Sequence, residues 1–262
     1  MRTAVRRLGL LLSIGLLPSA GAAQAPAPQS KSLDPAALAI MGRLAEQLRR
    51  LPSLQIEAQI EYDALQRDGQ TIEFGSARTI SLRRPDHIRV EATDRSGAER
   101  ALFYDGKQVA VWDQANAVYA TSPETGDVDD VLRYIEGPLG IPIPLGDLLA
   151  SDFGKVIDED LVFAAIVRPE TIDGVLCDHL ALRNADRGIQ LWVERGATPL
   201  LRRISITWEQ APGRPQFRAR ITKWELSPPL PDALFSFVPP EGAERIQFHR
   251  LAAAPAIPGG GR

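Results

Sequence analysis

Apolar and polar residues alternate strictly from position 54 to 64, with Leu54, Ile56, Ala58, Ile60, Tyr62 and Ala64 separated by Gln55, Glu57, Gln59, Glu61 and Asp63. A period of two predicts a strand with one face buried and the other in water. Asp68-Gly69 is a tight-turn pair, and Ile72, Phe74, Ile80 and Leu82 continue the alternation, so 54–82 reads as one long hairpin. Arg78 shares the apolar parity of its second strand. Beyond Arg84-Pro85, short strands are predicted at 88–92, 99–104, 108–112 and 117–120, joined through Ser96-Gly97, Asp105-Gly106 and a loop holding Asn116. A second series covers 163–172, 175–183, 189–194, 200–208 and 217–226, with Asp173-Gly174 as its first turn. Near Lys223 the apolar parity slips from Phe217 and Ile221 to Trp224 and Leu226, which predicts a bulge. Strands joined by short turns form antiparallel meanders, not βαβ units.

Two stretches have helical spacing instead. Asp34 followed by Pro35 is an N-cap with proline in the first turn, and Pro52 ends the helix, giving 34–51. Leu38, Met41, Ala45 and Leu48 share one face, broadened by Ala37 and Leu44. In mid-chain, Val128, Val131, Leu132 and Ile135 predict an amphipathic helix over 125–135, ended by Gly137-Pro138. A stiff apolar loop, Ile141-Pro142-Ile143-Pro144, follows, and 146–151 suits another helical turn. From Ser227 the chain is proline-rich, with Leu234, Phe235, Phe237 and Val238 as an anchoring segment. The expected fold is mainly β with helices (α+β): ten or eleven antiparallel strands, an N-terminal helix and a mid-chain helical insert. That insert is more apolar than a connector needs, so it either completes a core or covers a ligand.

Arg2, Arg6 and Arg7, the apolar run 8–17, then Pro18 and the small residues 19–23 are ordered as a secretory signal peptide, expected to end near Ala23. Ten apolar residues are too few to span a bilayer, which takes about 20; the longest later run, 161–167, is shorter, so no transmembrane segment is expected in the mature chain. Residues 24–33 read as a flexible leader, 34–248 as one β domain and 249–262 as a disordered tail. Losing residues 1–23 removes three Arg and no acid from 30 basic and 33 acidic residues, for a net charge near −6. Such a charge disfavours nucleic acid as a partner. Cys177 is the single cysteine, so no internal disulfide forms, and it lies too far from the signal segment to become a lipidated N-terminus.

Candidate chemistry is sparse. The three histidines, His87, His179 and His249, lie in no metal-binding spacing, and no Gly-x-Ser-x-Gly elbow or phosphate-binding glycine loop is present. Cys177 and His179 are two apart on one strand face; they either touch, or Cys177 packs as a small apolar residue while His179 bonds a neighbour, the simpler reading. Asp127, Asp129 and Asp130 suit the first turn of the insert helix, and Asp158, Glu159 and Asp160 a solvated loop, ahead of calcium or acid catalysis. No enzyme activity, metal or cofactor is expected.

Several segments together carry a family resemblance: Asp34-Pro35 with its helix; Arg84-Pro85-Asp86 before Ile88-Arg89-Val90; Tyr104-Asp105-Gly106-Lys107; Val118-Tyr119-Ala120; the run from Ile172-Asp173-Gly174 to Leu180; Leu191-Trp192-Val193; and Phe235-Ser236-Phe237-Val238 through Ala243. Over about 34–248 the chain resembles the DUF2092 family of periplasmic proteins, within the LolA-like lipoprotein-carrier superfamily. The resemblance implies an incomplete β-barrel whose concave apolar face is capped by helical lids. The inner face would then carry Ile56, Ile60, Tyr62, Ile72, Phe74, Ile80, Ile88 and Val90, and the lid Leu132, Ile135, Ile141 and Ile143. Arg78 would anchor the lid backbone, as an inward arginine does in the carriers, or reach solvent from near a strand end. The implied role is to hold a lipid, or the acyl chain of a lipoprotein; the alternative is an envelope regulatory or stress-sensing protein with a filled core and a protein partner.

Overall fold

The computed structural model describes residues 31–153 and 160–248. The expected signal segment, the leader up to Ser30, Asp158, Glu159 and the tail from His249 lie outside the described residues. The first meander is β2 (Ser53–Leu65), β3 (Thr71–Arg83), β4 (His87–Asp94), β5 (Glu99–Tyr104), β6 (Gln108–Asp113) and β7 (Val118–Pro123). The second is β8 (Phe163–Ile172), β9 (Val175–Arg183), β10 (Arg187–Glu194), β11 (Leu201–Trp208) and β12 (Gln216–Leu226). Antiparallel pairing of β12 with β2 fuses the two into one sheet. Two-residue strands, β1 (Ser32–Leu33) and β13 (Glu244–Arg245), add in parallel to β8 and β7 at its two edges. The eleven longer strands are those the alternation predicts; the parallel additions are not visible in it. Ser32 and Leu33, expected in the flexible leader, pair with β8, Ser32 N–H donating to the Val162 carbonyl just before that strand at 2.9 Å and Asp34 N–H to the Ala164 carbonyl within it at 2.9 Å.

In the strand order β7 and β8 are not neighbours, so the sheet stays open, as an incomplete barrel. The chain between them, the apolar insert, therefore starts at one edge and ends at the other. It contains α2 (Val128–Glu136) and a short 3₁₀ turn, Gly146–Leu148. Asp127 caps α2 by accepting from Asp130 N–H, and the Asp130 carboxylate accepts in return from Asp127 N–H, a reciprocal pair that satisfies two otherwise free donors. These acids are capping groups. Asp173 and Gly174 both adopt positive φ, 49° and 81°, and so form the two-residue turn that matches the twist of β8 and β9. The parity slip at Lys223 is a register shift between Ile221 and Lys223 against β2.

The N-terminal helix, α1 (Pro35–Arg50), is capped by Asp34, whose carboxylate accepts from Ala36 N–H at 2.9 Å. Its buried stripe is Ala37, Ile40, Met41, Leu44 and Leu48, with Leu38 and Ala45 only partly covered, so the contact face is rotated toward Leu44 from the expected one. Together α1, α2 and the insert join the inward residues of both meanders in one apolar cluster.

Candidate functional site

Strand registers fix which side chains share the concave face. Leu54, Leu82, Ile88, Tyr104 and Val109 form one inward row across β2 to β6, and Ile56, Ile80, Val90, Leu102 and Val111 form the next. All ten are buried, as are the insert residues Leu132, Ile135 and Ile143, while Ile141 is half-buried. Here the interior is filled. Tyr104 marks its floor: its hydroxyl donates to the Gly126 carbonyl at 2.7 Å, and burial, with Asp86 and Glu124 adding to it, pushes its pKa up to about 12.

Farther along β2 and β3 the face opens. Ile60 remains buried, but Tyr62 and Ile72 are half-buried and Phe74 is 41% exposed, stacked on Tyr62 with ring centroids 5.8 Å apart. Across the sheet, Ile189, Ile204 and Ile206 on the same face are also only partly covered. The eight inner-face candidates thus divide: Ile56, Ile60, Ile80, Ile88 and Val90 belong to the packed core, and Tyr62, Ile72 and Phe74 line an open apolar surface.

A polar row lies between the two halves: Ala58, Arg78, Ala92, Arg100 and Asp113. Asp113 is buried and accepts from Arg100 Nε at 3.1 Å and Asn116 Nδ2 at 3.0 Å. Burial alone would raise its carboxyl, but the bonds from Arg100 and Asn116 outweigh that and hold it below the usual carboxylate range. Arg78 points inward, between two alanines whose methyl groups leave room for it, and its Nε is sealed from solvent without a partner. No hydrogen bond joins Arg78 to the insert among the described residues. Arg84 makes that contact instead, Nη2 donating to the Leu149 carbonyl at 2.9 Å. Arg84 lies just past the strand, where parity does not signal its direction, and only the adjoining Pro85 hinted at a special position.

The convex face holds the remaining candidates. Cys177 is buried, its thiol pushed up by burial and donating to Val175 O at 3.4 Å, which leaves it a poor nucleophile. His179 stacks on Trp192 at 4.3 Å between centroids, and its Nε2 meets Gln190 Oε1 at 2.9 Å; no hydrogen bond joins it to Cys177 among the described residues. Around β3 to β7 the C-terminal segment forms a strap. Phe235 is fully buried against the His87 ring and under Arg83, and Phe237 packs on Phe103 and Tyr119. Arg83 Nη1 and Arg89 Nη1 donate to the carbonyls of Leu230 and Leu234. Of the four expected anchors the two phenylalanines do most of this, while Val238 is 80% exposed. Among the described residues no group of three or more His, Cys, Asp or Glu is placed to hold a metal ion, and no helix is long and apolar enough to cross a membrane.

Residues 37–249 match the model of the family described as "Predicted periplasmic protein (DUF2092)". The chain belongs to the DUF2092 family. Its open antiparallel sheet with an N-terminal helix and a helical insert is therefore the architecture of a DUF2092 member, and the family description gives the periplasm as its compartment. No curated protein matches this DUF2092 chain. Among solved structures it is similar to LprF from Mycobacterium bovis, at 14% identity and TM-score 0.48, covering 81% of this chain and 99% of that one. It is also similar to lipoprotein LppX from Mycobacterium tuberculosis, at 15% identity and TM-score 0.46, with 76% and 98% covered. A LolA superfamily protein from Nitrosomonas europaea aligns at 16% identity and TM-score 0.36, over 77% and 97%.

Proposed function

We propose that this protein is a non-enzymatic periplasmic binding protein that holds a lipid, or the acyl chain of a lipoprotein, on the open half of its concave sheet. The observation that carries this reading is the apolar surface of Tyr62, Ile72 and Phe74, which faces inward yet is not covered as the neighbouring rows are. A single-faced sheet normally buries its apolar side, and an inward apolar surface left partly open is where an apolar ligand gains by leaving water. An acyl chain of about fourteen methylenes gains roughly 10 kcal/mol on such transfer. Association and ordering cost about 4–15 kcal/mol, an offset of similar size, so a chain on this half-covered face would be held reversibly and not locked in place.

A second reading, a protein partner recognised by an envelope regulator, draws on the other half: Leu54, Ile56, Ile80, Leu82 and Ile88 are fully buried, leaving no room for a ligand there. Titration of the mature protein with N-phenyl-1-naphthylamine separates the two. Saturable fluorescence enhancement, weakened at least about tenfold by Phe74→Asp (a loss of about 1.4 kcal/mol), is the result expected of the lipid-binding reading. Enhancement that is absent, or unchanged in Phe74→Asp, overturns it in favour of the partner.

A further inference from the structure

Arg78 differs from the other half-buried arginines whose Nε is sealed from solvent. Arg84 and Arg89 also have an unpartnered Nε, but each donates through its terminal nitrogens to a carbonyl of the insert or the strap. Arg78 has no ion pair or side-chain hydrogen bond among the described residues. An arginine stays protonated in a protein, and this one, half-buried with only its Nε sealed from solvent, carries its charge on the concave face with no counter-charge among the described residues, which leaves its terminal nitrogens free to meet an anion.

Both acids that share its inward face nearby are already engaged. Asp113 is held by Arg100 and Asn116, and Asp94 accepts from Ser96 and from Ala98 N–H in its own turn. Two residues before Arg78, on the same face of β3, the Ser76 hydroxyl is likewise sealed from solvent and unpartnered. A cation and a hydroxyl, both without partners and about 7 Å apart along one strand, make a donor set for an oxyanion. From Arg78 the same face of β3 runs through Ser76 and Phe74 to Ile72, about 20 Å of strand, so an anion seated at Arg78 has an apolar track leading away from it.

We propose that Arg78 and Ser76 receive the anionic head group, a carboxylate or phosphate, of a single-chain amphiphile whose tail lies along Tyr62, Phe74 and Ile72. This rests on the lipid-binding reading and adds the head-group chemistry to it. Desolvation pulls the Arg78 guanidinium down to about 10, which still leaves it charged at neutral pH and strengthens the demand for an anion. Ala58 and Ala92, paired with Arg78 on either side, keep the side chains flanking the guanidinium small.

The test is displacement of N-phenyl-1-naphthylamine from the mature protein, below micellar concentrations, by dodecanoate, dodecyl phosphate, dodecan-1-ol and dodecyltrimethylammonium. The expected result is that the two anions bind at least about tenfold tighter than the alcohol, about 1.4 kcal/mol, and the cation weakest. Arg78→Met should erase that preference, so that anions and alcohol displace the probe at similar concentrations. Arg78→Lys should keep part of the preference. Equal binding of anion and alcohol, or a preference that survives Arg78→Met, overturns the head-group assignment and leaves the lipid-binding reading standing. Displacement by inorganic phosphate alone would mark a free-anion site and overturn the amphiphile, whereas failure of every probe to bind would overturn both readings.

Discussion

Inward polar residues distinguish this sheet from a simple half-buried one, and they were only partly legible in the sequence. Parity alone placed Arg78 on the apolar face of β3. It did not place Arg100 or Asp113 beside it, because which residue lies opposite which depends on registers across four strands that no local pattern specifies. Asp113 has a measurable consequence. Its folded-state pKa is depressed, so its contribution to stability is complete above the usual aspartate value, near 4, and is lost as pH falls through the lower folded-state value. Urea unfolding from neutral pH down into that acid range should therefore show Asp113→Asn less stable than the parent at neutral pH and shallower in its acid decline. Parallel curves would mean that Asp113 adds no pH-dependent stability. Cys177 and His179 were legible only as alternatives, and stacking on Trp192 together with burial of the thiol favours the packing role for both.

Whole elements were easier to read. The eleven longer strands follow from alternation and from turn pairs such as Asp173-Gly174, the N-terminal helix follows from its N-cap and apolar spacing, and the insert helix from apolar spacing alone, its Asp127 cap being visible only in the structure. What escaped was pairing that rests on backbone alone: β1 and β13 are two residues long, too short for any period to show. The strap is intermediate. Phe235-Ser236-Phe237 announces an apolar anchor but not its destination, the convex face, where Arg83 and Arg89 hold its carbonyls. Because Phe235 is fully buried between the His87 ring and Arg83, Phe235→Ala should cost about 3–5 kcal/mol in urea denaturation. A loss below about 1 kcal/mol, the range of surface substitutions, would show that the strap is not part of the cooperative unit.

At the scale of the molecule, the concave side of one sheet changes character along its strands. Near the insert it is a packed core, with Ile135 and Leu149 buried in the same apolar cluster as Leu54 and Ile88. Toward Phe74 it is an apolar surface only partly covered. The alternation at 54–82 looks the same in both halves, so the sequence supported either a cavity or a filled core, and the tertiary placement of α1 and the insert makes the difference. For the proposed binder, an open half built on a packed core leaves little to be ordered when the ligand arrives, and affinity depends on that ordering cost. The central claim is that the open half carries an acyl ligand in the cell. Native mass spectrometry of the mature protein isolated from periplasm without detergent, with solvent extraction of the same sample, tests it most directly. The account predicts a mass increment that disappears on extraction and is recovered as an acyl species in the solvent; a protein at its bare mass, with an extract free of acyl chains, would contradict it.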